Sequence, residues 1–135
     1  MDGVRVVHLG ALCAWAAVVV VEGIIELDDR DDGSTAARLH YLIDLGLELP
    51  LLVAVLASGG MLWSRSAPTP LLSLKIACGL AAVCANLVCV VFVVRRYRQR
   101  REPAARRRWS RLVRASIVGL PFALAAAFLG FSRFH

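Results

Sequence analysis

Glu22, Glu26, His40, Asp44 and Glu48 stand inside long apolar runs, where a chain has least use for ionisable groups unless they act together. Side chains three or four residues apart on a helix share a face. At about 100° per residue, His8, Trp15, Glu22 and Glu26 lie within about 40° of one another, and His40, Asp44 and Glu48 spiral across about 80° of a second helix. A charged side chain at the centre of a membrane helix costs about 2.5–3.5 kcal/mol on insertion scales, so such residues turn toward other helices. Inward carboxylates and imidazoles at these spacings are how helical bundles hold metals. Several carboxylates in a low dielectric cannot all stay ionised unless a cation neutralises them or some take up protons. An oxygen-rich set with one imidazole suits Mn²⁺, Fe²⁺ or Zn²⁺ better than Cu⁺.

Helix rise limits the ligand set. From His40 to Glu48 is about 12 Å, so one ion cannot take His40, Asp44 and Glu48 together. Either one metal uses His40 and Asp44 with Glu22 and Glu26, or a second site involves Glu48 and Asn86. The remaining polar residues of the runs, His8, Trp15, Lys75 and Asn86, are expected as neighbours of the site or as a pathway. Each also has an ordinary reading. Glu26 and His40 could be wet residues at a helix end, His8 a satisfied interface histidine, Trp15 a packing residue, and Lys75 a side chain reaching outward to water.

The elements that must position these groups follow from composition. The 135 residues are 59% hydrophobic, and mean hydropathy is +0.66, well above an ordinary soluble domain. A membrane-crossing helix needs about 20 mostly apolar residues. Four runs qualify, at about 4–27, 37–63, 71–94 and 109–131, and they predict an all-α, four-transmembrane-helix antiparallel bundle forming a single domain over 1–135. The first run is longer than the core of a signal peptide and is expected to be retained. Ser34 or Thr35 can cap the second helix, Pro68 and Pro70 enforce a turn, and Pro103 fits the first turn of a helix leading into the fourth run. Ser116, Gly119, Ala123, Ala127 and Gly130 form a small-residue face suited to close contact.

Orientation comes from charge. Ten arginines stand between residues 95 and 114, which places the 95–114 connection in the cytoplasm and both termini on the non-cytoplasmic side. The first connection, with Asp28, Asp29, Asp31 and Asp32, then shares the cytoplasmic side. The net charge of +6 is thus concentrated at a membrane edge rather than spread over a face for nucleic acid. Its ordinary role is topological; the functional readings are anionic-lipid binding by the arginines and a cation-collecting mouth at the aspartates. The lipid bilayer itself, a second copy or another membrane protein are the expected partners, because four short spans bury few faces. The expected location is the inner (plasma) membrane of a bacterium.

Two classes of function fit. One is a fixed divalent-metal centre, in a membrane metalloenzyme or metal-handling protein. The other is a small proton-coupled transporter or cation channel in which Glu48 exchanges the proton, with His8 and the acidic connection as the two mouths. Size and four-span layout resemble the small multidrug transporters, but the membrane acid of that family is an isolated residue of the first helix, whereas here acids cluster on two helices, so membership is not assigned. Haem is not expected, because His8 and His40 fall near opposite ends of the runs. Cys13, Cys78, Cys84 and Cys89 contain no CxxC pair and read as buried free thiols, with Cys78 and Cys89 as possible soft ligands. No serine-centred nucleophile motif or phosphate-binding glycine loop is present.

Overall fold

A computed structural model describes residues 3–27, 34–116 and 119–131. The described residues are helical apart from short connections, and they contain no strand. α1 covers Gly3–Leu27, α2 Ser34–Ile43, a π-helical turn Asp44–Glu48, α3 Leu49–Ser64, α4 Pro70–Arg98, α5 Pro103–Ala115 and α6 Gly119–Phe131. Four helical stretches are long and apolar enough to cross a membrane: Gly3–Glu26, Thr35–Ser64, Pro70–Arg98 and Pro103–Leu129. That is the pattern of an integral membrane protein. The third helix runs four residues further than its apolar run suggests, through the arginines to Arg98, and the fourth stretch starts at Pro103 rather than Trp109. Arginine is a good helix former and continues a helix past the end of its hydrophobic segment.

The turns have local causes. Thr69 accepts a hydrogen bond on Oγ1 from the Leu72 amide at 3.2 Å, and Pro70 follows in the first turn, where a missing N–H costs nothing. Pro103 opens α5 in the same way. The acidic residues Asp28, Asp29, Asp31 and Asp32 lie outside the described residues, as does the side chain of Ser34.

The chain forms two compact units, residues 1–67 and 68–135. In the first, α1 packs against α2, the π turn and α3. Its buried positions on the second stretch are Ala37, His40, Asp44, Glu48, Leu52, Val55 and Ser58. Between residues 39 and 63 the outward-facing residues of the same stretch are apolar, and Leu47 is 55% exposed while its neighbour Glu48 is 2% exposed. Charge inside and hydrocarbon outside is the reverse of a soluble protein and suits a lipid surround.

In the second unit α4 packs against α5 and α6, with Ala82, Val83, Val90, Val93 and Val113 buried. A methyl group added at Gly119 would sit 2.8 Å from Ala85 Cβ, so the absence of a side chain there lets α6 approach α4. At the other end Trp109 of α5 stacks near Phe92 of α4, with ring centroids 6.0 Å apart.

Candidate metal centre

The site is built in the first unit, where α1 faces the second stretch. Contacts climb α1 as they descend that stretch: His8 meets Ser58, Trp15 meets Glu48, and Glu22 and Glu26 meet His40. His40 is at the centre. Its Nε2 lies 3.6 Å from Asp44 Oδ1 and 3.8 Å from Glu22 Oε2, while its Nδ1 lies 3.7 Å from Glu26 Oε2. One ligand atom from each of Glu22, His40 and Asp44 falls within 4.8 Å of the others, and all three residues are buried.

These separations are informative in two ways. They exceed the 2.7–3.2 Å of a made hydrogen bond. They also approach the separation of about 3.4 Å that two ligands adopt when each stands about 2.1 Å from one tetrahedral ion. Asp44 is 1% exposed, and its carboxylate oxygens find no donor among the described residues other than the facing Glu22 carboxyl group when that is protonated; Glu22 Oε1 and His40 Nδ1 also have no hydrogen-bond partner among the described residues. Leaving such groups buried without a partner costs about 1–3 kcal/mol each, and more when they are charged. A cation between Nε2 and the two carboxylates supplies an interaction for both acids, while His40 Nδ1 is left facing Glu26.

Glu26 occupies a different position from Glu22 and Asp44. It faces Nδ1, across the imidazole ring from the other two carboxylates. A carboxylate behind a ligating histidine fixes ring orientation and tautomer once it accepts the Nδ1 hydrogen, which at 3.7 Å takes only a small approach by Glu26.

The π turn is what aligns the second stretch. Leu49 donates its amide hydrogen to Asp44 O, five residues back rather than four. The cause is Pro50. In an uninterrupted α-helix its nitrogen would face the Gly46 carbonyl with no hydrogen to give, and its ring would crowd that oxygen. One wide turn shifts the hydrogen-bond register and lets α3 resume with Pro50 in its first turn. Asp44 and Glu48, the two ends of the turn, are both buried.

Beyond the cluster, Trp15 Nε1 donates to Glu48 Oε1 at 2.9 Å. Further along, the Ser58 hydroxyl donates to Ala54 O at 2.6 Å, which leaves its oxygen to accept from His8 Nδ1 at 2.9 Å. Gly59 makes room for that imidazole, since an added Cβ would stand 3.2 Å from His8 Cε1. Lys75 and Asn86 belong to α4 in the second unit, where Asn86 Nδ2 is buried without a hydrogen-bond partner among the described residues. All four cysteines are free, and Cys13 and Cys84 are exposed rather than buried.

Two participants escaped the sequence reading. Ser58 continues the buried three- and four-residue spacing of Leu52 and Val55, and that spacing was the available signal. The π turn was signalled by a proline inside a membrane-length helical run.

The fold and cluster together define an all-helical membrane protein with an acid and histidine site enclosed by one helix pair. No protein-family model, curated protein or solved structure matches the chain. Function must therefore be argued from the site.

Proposed function

We propose that the first unit binds one divalent transition metal within the membrane. Glu22, His40 through Nε2, and Asp44 are its ligands, and Glu26 orients His40. The observation that carries this reading is the deeply buried Asp44 carboxylate, 3.6 Å from His40 Nε2, in a group whose three ligand atoms, from Glu22, His40 and Asp44, lie within 4.8 Å of one another. Three protein ligands, two of them carboxylates, favour Mn²⁺, Fe²⁺ or Zn²⁺ and leave room for a further ligand from substrate or water. The unit thus serves a membrane metalloenzyme or a metal-handling protein, in an antiparallel bundle with its 95–114 segment facing the cytoplasm and both termini opposite. Metal analysis of the purified chain tests it. We expect about one transition-metal ion per chain, lost in Asp44→Ala; a wild type carrying no more metal than that variant overturns the proposal.

A second reading has its own observation, the Trp15 to Glu48 hydrogen bond, followed along α1 by the His8 and Ser58 pair. These contacts extend the polar line from the cluster toward the other end of the helix pair, as a proton-coupled transporter or cation channel using Glu48 would require. Its test is pH-dependent ion flux into liposomes. Flux abolished by Glu48→Gln supports it, and flux equal to that of protein-free liposomes removes it.

A further inference from the structure

The second unit carries a groove of about 320 Å³ lined by Cys84, Ala85, Val88 and Phe92 of α4 and by Leu112, Ala115 and Ser116 at the end of α5. Apart from the Ser116 hydroxyl, which is turned onto Leu112 O at 3.1 Å, its walls are hydrocarbon and thiol. Both walls lead to the same place. One turn beyond Phe92 on α4 is Arg95, and one turn before Leu112 on α5 is Arg108. Their guanidinium groups lie 5.3 Å and 5.8 Å from the centre of the Trp109 ring, which stacks near Phe92 at the end of the groove. Both arginines are exposed.

In a bilayer, tryptophan and arginine at the end of an apolar helix mark the headgroup level, so the groove runs from that level into the hydrocarbon. We propose that it holds one anionic phospholipid, its acyl chain along Val88 and Ala115 and its phosphate at the end of the groove where Arg95 and Arg108 flank Trp109. A zwitterionic lipid offers the same chain but no net charge to these two guanidinium groups. Charge complementarity at one end of an apolar slot therefore selects the occupant. This site is independent of the metal centre, since no residue is shared.

The test uses the full chain in phosphatidylcholine vesicles doped with phosphatidylglycerol or phosphatidylcholine brominated on the acyl chains. The Trp109 signal is the difference between the chain and Trp109→Phe. Brominated phosphatidylglycerol is expected to quench it at about thirtyfold lower mole fraction, the effect of two basic residues near the membrane surface. Arg95→Gln/Arg108→Gln abolishes that preference, and Ala115→Phe, which fills the slot, weakens quenching by both lipids. With no substitution at all, raising the salt concentration should collapse the preference, because headgroup-level charges are screened. Equal quenching by the two lipids, or a salt-insensitive preference, overturns the proposal. So does oxidative cross-linking of Cys84 between two chains in the same vesicles, which would put a second copy on the groove.

Discussion

Asp44 and Glu26 illustrate how two carboxylates near one imidazole come to differ. Asp44 shares the Nε2 side of His40 with Glu22, and it is the most deeply buried of the acids. Asp44→Ala should abolish metal retention, whereas Glu26→Gln should leave the ion bound but weaken affinity about 10- to 100-fold, the usual effect of losing the carboxylate behind a ligating histidine. Competition with a metal-sensitive dye separates the two outcomes. If Glu26→Gln loses metal as completely as Asp44→Ala, Glu26 is a direct ligand and the assignment by ring nitrogen fails. His8 is a different case: its Nδ1 is engaged by Ser58, far along α1 from the cluster, so His8→Ala should leave the metal content unchanged.

Among the elements, the second membrane stretch depends on its single wide turn. Four-residue steps on an α-helix each overshoot a full turn by about 40°. Buried positions at 40, 44, 48 and 52 would drift around an ideal helix, and five-residue hydrogen bonding across 44–48 takes up the excess. Pro50→Ala restores the missing N–H and should favour a regular α-helix. The expected result is unchanged helix content by circular dichroism, but metal affinity at least tenfold lower, because Asp44 rotates away from His40 and Glu22. Unaltered affinity would mean that the proline does not set the register. In the second unit, Gly119→Leu tests the close approach of α6 to α4. A side chain where even a Cβ meets Ala85 at 2.8 Å should cost about 1–3 kcal/mol, read as a lower unfolding midpoint in detergent.

For the whole molecule, the buried acids oppose folding until they are compensated. A ligand that binds only the folded state stabilises it by about 2.7 kcal/mol at a hundred times its dissociation constant. Chelation should therefore lower the thermal midpoint of the wild-type chain in detergent, and re-addition of the metal should restore it. In Asp44→Ala neither treatment should move the midpoint. A chelator effect that persists in that variant would place the stabilising ion elsewhere. The division into two compact units gives this prediction a further consequence: limited proteolysis of the metal-depleted chain should expose sites in residues 1–67 before sites in 68–135.

Much of this architecture is written in one-dimensional patterns. Hydrophobic length marks the four membrane-length helical stretches, and charges within apolar runs mark the interior face, because lipid penalises both exposed backbone and exposed charge wherever the chain goes next. Equal helix rise on either side of the first connection also sets Trp15 about level with Glu48, and the hydrogen bond between them is observed. Which imidazole nitrogen meets which carboxylate is not a property of spacing. It depends on the distance between two helix axes and the rotation of each, and that rotation was reset by a π turn whose trace in the sequence is one proline. The groove beside Trp109 arises in the same way: the sequence supplied the arginines and the apolar residues, but only the packing of α5 on α4 brought Arg95 and Arg108 to the same ring.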